Sequence, residues 1–175
     1  MNYSHERAFG WMQVLGDQVV IQSSRLGPLG RLKAPGTWGS AAGLIWYTVA
    51  FPGLPLPLAL LLVGVTLWLA VGLCGEAEKR LRSRDPSEVV LDEAVCMPLC
   101  LLGLEGWLIA LRQEGWAWAL FLGAFALFRF FDILKPLGIS RLQTLPGGLG
   151  VVADDAAAAL ATNLTLQLLL ALWFA

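Results

Sequence analysis

Apolar residues fall into five runs along the chain, at about 38–51, 56–74, 94–111, 115–131 and 156–175. A helix needs about 20 apolar residues to cross the hydrocarbon core of a bilayer, and about 17–25 is the usual range. The runs therefore predict an all-α, multi-helical integral membrane protein with about five membrane helices. The first and fourth runs lie at or below the lower limit, so counts of four or six also agree with the pattern.

The polar part of the chain that precedes these runs divides in two. Residues 8–22 mix apolar positions at near-helical spacing with Gln13, Asp17 and Gln18. This pattern predicts an N-terminal amphipathic helix, lying either at the membrane interface or against the rest of the protein. Residues 23–40 are rich in glycine and proline and predict a loop. Thr37 and Ser40 are candidate caps for the helix that follows.

The composition supports a membrane protein. Of 175 residues, 57% are hydrophobic and 14% are charged, whereas soluble domains carry roughly 25% charged residues. The length suits one domain covering residues 1–175. The net charge of −1 gives no indication of nucleic-acid binding. Cys74, Cys96 and Cys100 lie in or beside apolar runs, where buried free thiols are expected.

The basic residues are distributed asymmetrically over the predicted topology. Five crossings place the loops at 23–37, 75–93 and 132–155 on one side and the two short turns on the other. The first side holds Arg25, Arg31, Lys33, Lys79, Arg80, Arg82, Arg84, Arg129, Lys135 and Arg141. The second side holds Arg112. Because positive residues concentrate in cytoplasmic loops, we expect the polar motifs to meet at the cytoplasmic face.

One polar motif lies at the end of the fourth apolar run. Arg129, Asp132 and Lys135 are three residues apart and share a helical face. A glycine-rich turn at 147–150 and the pair Asp154 and Asp155 follow. Charged residues kept at the end of a membrane helix are typical of a functional site. The glycines alone indicate little, because they also mark ordinary tight turns.

Further acidic residues reach the same face. Asp92 and Glu93 stand just before the third apolar run, where carboxylates can also simply complement a helix dipole. Mg²⁺ prefers carboxylate oxygens together with substrate phosphate, and arginine and lysine are the usual partners of phosphate. The combination predicts a metal-dependent enzyme that acts on a phosphate ester.

The residues that are missing narrow the chemistry. His5 is the only histidine and stands near the start of the chain, so a catalytic triad or a histidine nucleophile is not expected. Water activated by a carboxylate-bound metal, or an attacking Asp or Glu, remains. Two non-enzymatic alternatives remain for a small membrane protein with charged residues at the ends of its helices. They are a transporter subunit with an ion site and a scaffold that binds anionic lipid headgroups.

Four motifs resemble those of the bacterial phosphatidylglycerophosphatase A family, in the family's order. They are APGTWGS at 34–40, DPSEVVLDE at 85–93, FRFFDILKP at 128–136 and GGLGVVADD at 147–155. The resemblance implies a Mg²⁺-dependent lipid phosphatase of phospholipid biosynthesis. It would convert phosphatidylglycerophosphate to phosphatidylglycerol and inorganic phosphate in the bacterial inner membrane, with the active site on the cytoplasmic face.

On this resemblance, each polar residue has an expected role. The candidate catalytic residues are Asp92, Glu93, Asp132, Asp154 and Asp155. Glu93, Asp132, Asp154 and Asp155 are the expected metal ligands. Arg129 and Lys135 are expected to hold the phosphate, with hydroxyls or loop amides from Thr37 and Ser40. Lys33 is a further candidate for headgroup binding.

The chain departs from the family pattern at three positions. Cys96 stands where the family usually has glycine, Gly138 replaces a proline, and Ala159 replaces a glycine. None of these changes alters a charge. We therefore expect effects on loop geometry and helix packing more than on the chemistry.

Overall fold

The computed structural model describes residues 15–175, apart from the side chain of Leu137. Within that range the chain is all-α, as predicted. The helices are α1 (Asp17–Ser24), α2 (Pro35–Ala50), α3 (Leu56–Leu81), α4 (Leu91–Cys96), α5 (Glu105–Gln113), α6 (Ala117–Leu134) and α7 (Gly148–Trp173). Short 3-10 helices cover Leu29–Arg31, Met97–Cys100 and Pro136–Thr144. Residues 8–14 of the predicted amphipathic segment 8–22 lie outside the described residues, and α1 covers residues 17–22 of it.

The described chain has three helices long and apolar enough to cross a membrane, namely α3, α6 and α7. A fourth crossing is formed only if Leu91–Cys100 and Glu105–Gln113, which bend by 73° relative to each other, count as one broken span. Helix α2 has 16 residues, about 24 Å at 1.5 Å per residue. The count of about five membrane helices is therefore not confirmed, and three or four is the supported number.

Asn163 of α7 satisfies the backbone at the bend between α4 and α5. Its side-chain amide donates to the carbonyl oxygens of Leu99, Cys100 and Leu102 at 2.9–3.1 Å. Its own oxygen accepts a hydrogen bond of 2.7 Å from Gln167. Carbonyl groups released by a broken helix need a partner when they lie among apolar side chains. The Asn163 amide therefore stabilises a bend in a segment that hydropathy predicts as one continuous helix.

The helices pack closely through small residues, as membrane helices commonly do. Gly36, Gly39 and Gly43 place one face of α2 against α4. A Cβ on Gly39 would stand 2.7 Å from the Val90 carbonyl oxygen. On the other side of the bundle, a Cβ on Gly75 would stand 2.7 Å from the backbone nitrogen of Gly148. These contacts bring the starts of α2, α4 and α7 and the end of α3 together.

Gly43 offers a test of this packing. We expect Gly43→Ala to lower the free energy of unfolding by about 1–3 kcal/mol, as overpacking does. The reason is that its Cβ would lie 2.5 Å from both the Ala94 carbonyl oxygen and the Met97 Cβ. Gly64 of α3 is the matched control, since a Cβ there meets nothing within 4 Å. Gly64→Ala should be neutral or stabilising by about 0.5–1 kcal/mol. Thermal unfolding in detergent would compare them, and equal shifts would contradict the α2–α4 contact.

The N-terminal elements brace the chain that leads into α4. Arg25 forms an ion pair with Glu88, and the backbone N–H of Val90 donates to the Ser24 carbonyl oxygen at 3.0 Å. Asp17 of α1 lies 2.9 Å from the Arg80 guanidinium of α3. These contacts fix the position of the residues just before Asp92.

Candidate active site

A polar cavity of about 290 Å³ lies where the loops before α2, before α4 and after α6 meet. Its walls come from the start of α2, the segment 85–93, the end of α6 and the second turn of α7. The lining residues are Ala34, Pro35, Gly36, Asp85, Ser87, Val89, Asp92, Glu93, Arg129, Asp132, Lys135, Val151, Asp154 and Asp155. The predicted convergence of the polar motifs at one end of the apolar helices is confirmed.

Three carboxylates in this cavity form a compact group. Asp92 and Glu93 lie in the first turn of α4, and Asp155 lies on α7. One oxygen from each is within 4.8 Å of the others. Asp92 and Asp155 are each only 4% exposed. Within the described chain, Asp92 Oδ1, Glu93 Oε2 and Asp155 Oδ2 are buried without a hydrogen-bond partner. Buried, unpartnered carboxylate oxygens at this spacing suit a hard divalent cation.

The other two predicted acids are paired with the two cations. Arg129 Nη1 lies 2.7 Å from Asp132 Oδ2 and 3.9 Å from Glu93 Oε1. Lys135 Nζ forms an ion pair with Asp154 Oδ2 and lies 3.9 Å from Asp132 Oδ1. Asp132 and Asp154 therefore hold Arg129 and Lys135 in place. The tightest carboxylate group includes Asp92, which was absent from the predicted metal set, and leaves out Asp132 and Asp154.

The charge of Lys135 is secured by its neighbours. Burial alone would lower the pKa of its ammonium group, but the hydrogen bond and charge of Asp154, with the charges of Asp155 and Asp132, raise the pKa above its usual value. The stabilising effect of a raised lysine pKa is complete at neutral pH and is lost only as the pH rises through that higher value. Lys135 is therefore cationic under physiological conditions.

Loss of the contact between Lys135 and Asp154 should reduce both stability and activity, and the two effects can be measured separately. Lys135→Met should lower the free energy of unfolding by about 3 kcal/mol, because a buried carboxylate loses its partner. Asp154 is only 2% exposed. The double variant Lys135→Met with Asp154→Asn should recover most of that stability, as judged by thermal unfolding. It should remain impaired in phosphate release. Full activity in the double variant would show that Lys135 has no role in the reaction.

The cavity is bordered by strained backbone. Among residues 15–175, the non-glycine residues with left-handed φ are Leu26, Ala34, Arg82, Asp85 and Lys135. Ala34 (φ 53°), Asp85 (φ 44°) and Lys135 (φ 44°) all line the cavity. Non-glycine residues in this conformation are uncommon and cluster at functional sites. The strain directs three separate chain segments into one wall.

Three predicted binding residues lie apart from the cavity lining. The Ser40 hydroxyl is buried and donates to the Gly36 carbonyl oxygen at 2.8 Å, within α2. Thr37 is half-buried in the first turn of α2, and its backbone N–H donates to the Ala34 carbonyl oxygen. Lys33 is exposed. Neither Ser40 nor Thr37 makes a side-chain cap of α2 in the described structure. The start of α2 contributes backbone through Gly36, whose missing Cβ leaves room for Glu93 and Arg129.

Sequence reasoning missed Asp85 and Gly36 as parts of the site. Asp85 was noted only as the first residue of its motif, and the left-handed φ that turns it toward the cavity is invisible in sequence. The glycine at 36 carried a signal, because it begins the Gly36, Gly39, Gly43 spacing of a close helix contact.

The three departures from the family pattern fall as expected on packing and loop positions. Cys96 is fully buried, and its thiol lies 3.8 Å from the Val152 carbonyl oxygen of α7. Ala159 is fully buried on α7. Gly138 has φ +80° in the 3-10 helix that follows Lys135, a conformation that a proline cannot adopt.

The fold and cavity define a helical membrane protein with a carboxylate-rich site at one end of its apolar helices. Comparison with known proteins narrows this class. A family model described as phosphatidylglycerophosphatase A matches residues 23–170. The chain belongs to the phosphatidylglycerophosphatase A family and is a phosphatase.

Two curated relatives cover most of the chain. A phosphatidylglycerophosphatase A of Haemophilus influenzae is 37% identical over 128 residues, which are 73% of each protein. A putative phosphatidylinositol-3-phosphatase of Bacteroides thetaiotaomicron is 38% identical over 130 residues, 70% of this chain and 74% of the relative. No solved structure matches the chain. Both relatives are named as phosphatases of a phosphorylated phospholipid headgroup, and the two headgroups differ.

Proposed function

We propose that this protein is a Mg²⁺-dependent phosphatase that converts phosphatidylglycerophosphate to phosphatidylglycerol and inorganic phosphate in phospholipid biosynthesis. The observation that carries the proposal is the cluster of Asp92, Glu93 and Asp155, whose carboxylate oxygens lie within 4.8 Å of one another beside Arg129 and Lys135. Such a site provides both a place for a divalent cation and cations for phosphate.

The charge of the cavity supports the need for a metal ion. Six carboxylates and two cations line it, so its formal charge is −4 when all of them are ionised. A phosphate monoester is itself strongly negative and would be repelled from such a cavity. A divalent cation held there would reduce this repulsion and would offer the phosphate oxygens a positive centre. The unpartnered oxygens of Asp92, Glu93 and Asp155 are the proposed ligands.

The two protein cations are the proposed phosphate partners. Arg129 Nε is buried and has no hydrogen-bond partner in the described structure, which leaves a donor for a phosphate oxygen. Its Nη1 is oriented by Asp132. Lys135 is oriented by Asp154 in the same way. Charge-assisted hydrogen bonds from such preorganised donors stabilise the charge that spreads over the phosphoryl oxygens during transfer.

The reaction adds water across the phosphate ester. A new bond forms between the water oxygen and phosphorus, the bond from phosphorus to the glycerol oxygen breaks, and that oxygen leaves with the bonding electrons and takes a proton. The water gives up a proton to a carboxylate. Asp154 Oδ1 is a buried carboxylate oxygen of the cavity that lies outside the proposed ligand set and has no hydrogen-bond partner in the described structure, so it is the candidate for this step.

We also propose that the protein lies in the bacterial inner membrane with its cavity on the cytoplasmic face. Most of the lysine and arginine residues lie in the segments 25–33, 79–84 and 129–141, which contain or adjoin the cavity lining, whereas Arg112 lies in the last turn of α5. The positive-inside rule favours this orientation.

Phosphate release from purified protein tests the proposal. In detergent micelles with Mg²⁺, we expect release from phosphatidylglycerophosphate, loss of release with EDTA, and recovery with added Mg²⁺. Phosphatidylinositol 3-phosphate should be assayed beside it, because a relative of similar identity carries that activity in its name. If neither lipid releases phosphate, with or without Mg²⁺, the proposal is contradicted. Lipid binding without turnover would then favour a scaffold.

A further inference from the structure

A second cavity, of about 360 Å³, adjoins the first. The two share Asp85 and Val151 in their walls. Its other lining residues are Glu78, Arg84, Ser140, Gln143, Thr144, Gly147 and Gly150. The two cavities therefore adjoin at Asp85 and Val151, and the second lies toward the end of α3 and the start of α7.

A hydrogen-bond network holds the walls of this second cavity. The backbone N–H of Asp85 donates to Glu78 Oε1 at 2.7 Å. The side-chain amide of Gln143 donates to Asp85 Oδ2 at 3.1 Å, and Arg84 donates to the Gln143 carbonyl oxygen. The network connects α3, the turn before α4 and the 3-10 helix after α6. The cavity is therefore a built feature that includes a residue of the acidic cavity, Asp85.

Several polar groups in this cavity remain available. In the described part of the chain, no hydrogen bond is formed by Glu78 Oε2, Asp85 Oδ1 or the Ser140 hydroxyl. Thr144 uses its hydroxyl hydrogen on the Arg141 carbonyl oxygen at 2.7 Å and keeps its acceptor capacity. Carboxylate, amide and hydroxyl groups together are partners for the hydroxyls of a polyol.

The second cavity is poorly suited to another phosphate. Arg84 is its one cation among the described lining residues, and Glu78 and Asp85 oppose it. The guanidinium of Arg84 already donates to a backbone carbonyl oxygen. The two cavities thus divide by chemistry, with paired cations and carboxylates in one and hydroxyl, amide and carboxylate groups in the other.

We propose that the second cavity binds the polyol that carries the scissile phosphate, and that it determines which headgroup is accepted. This inference rests on the proposed phosphatase function of the adjoining cavity. A volume of about 360 Å³ is within the range of about 300–1,000 Å³ of small-molecule sites. It admits a six-membered cyclitol ring as well as a three-carbon glycerol. Glu78, Asp85 and Ser140 are the residues that contact the polyol hydroxyls.

Binding of soluble headgroup analogues tests the proposal without turnover. Isothermal titration of the detergent-solubilised protein in Mg²⁺ would compare inorganic phosphate with the non-hydrolysable phosphonate analogues of glycerol 3-phosphate and inositol 3-phosphate. One or two added hydrogen bonds of about 1 kcal/mol each correspond to about fivefold or more in affinity. We expect at least one polyol phosphonate to bind more tightly than phosphate by that factor, and its identity gives the headgroup. Equal affinities, or no binding of any of the three, would overturn the proposal.

Ser140→Trp provides the matching variant, because an indole at this position fills the cavity. The preference for the polyol phosphonate over phosphate should disappear. Leu145→Trp is the control, since Leu145 is exposed, lies just after the same 3-10 helix and lines neither cavity. It should keep the preference. A preference that persists in Ser140→Trp would overturn the proposal. If that variant does not fold, Ser140→Ala combined with Glu78→Gln should reduce the preference instead.

Different results would contradict the phosphatase activity and the polyol site. If the phosphatase proposal is wrong, no phospholipid releases phosphate, whatever the binding result. If only the polyol proposal is wrong, phosphate is released from lipid while the three analogues bind equally or not at all.

Discussion

Asp155→Asn is expected to reduce phosphate release by more than about 100-fold, the upper range found when groups that support a metal site are changed. The substitution keeps the shape of the side chain and removes its charge. Asp155 is buried, lies within 4.8 Å of the Asp92 and Glu93 oxygens, and has an oxygen without a partner in the described structure. Initial rates in micelles across a range of Mg²⁺ concentrations would measure the loss.

Binding of Mn²⁺, followed by electron paramagnetic resonance, gives a second measurement that does not depend on turnover. Asp155→Asn should weaken Mn²⁺ binding, because one of the three carboxylates loses its charge. Asp17→Asn is the matched control, because it makes the same chemical change at an exposed carboxylate paired with Arg80 outside the cavity. Wild-type activity and wild-type Mn²⁺ affinity in Asp155→Asn would refute the assignment of the three-carboxylate group.

Asn163→Leu is expected to lower the free energy of unfolding by about 3 kcal/mol or more. Leucine has the same number of side-chain heavy atoms as asparagine and branches at the same carbon, so the loss comes mainly from the carbonyl groups of Leu99, Cys100 and Leu102, which lose their donor. Each buried polar group left unsatisfied costs about 1–3 kcal/mol. Thermal unfolding in detergent would measure the effect.

Thr165→Val is the control for this variant. Thr165 is on the same helix, and its hydroxyl donates to the Ala161 carbonyl oxygen, which already belongs to the helix backbone. Its loss should cost well under 1 kcal/mol, because that carbonyl keeps its helical hydrogen bond. Similar destabilisation by the two variants would mean that Asn163 does not support the break between α4 and α5.

Hydropathy located the apolar segments but did not give the number of membrane helices. The run at 94–111 reads as one span because its residues are apolar, yet the chain bends by 73° within it. The bend is supported by Asn163, about 60 positions later in the chain, and no local pattern reports such a partner. Pro98 and Gly103, which has φ +75°, were local signals of a break. Tertiary hydrogen bonding therefore determines whether this segment is one straight helix or a bent pair.

The sequence was more informative about the site than about the spans. The motifs containing Asp92, Arg129, Lys135 and Asp155 lie at the ends of apolar runs, and topology alone brings them together. The sequence did not predict which carboxylate pairs with which cation. Asp132 and Asp154 were expected among the metal ligands, which stays a prediction; in the described structure their side chains pair with Arg129 and Lys135. Which carboxylate pairs with which cation depends on helix rotation, which spacing along one helix cannot supply.

The left-handed backbone at Ala34, Asp85 and Lys135 has a consequence for engineering. Each such residue costs about 1 kcal/mol or more, so the rim of the cavity is built at the expense of thermal tolerance. Ala34 carries no charged group, and its φ of 53° suits glycine. A glycine there would relax the rim without removing any polar side chain of the cavity. The strained rim therefore lowers thermal stability while it fixes the shape of the cavity.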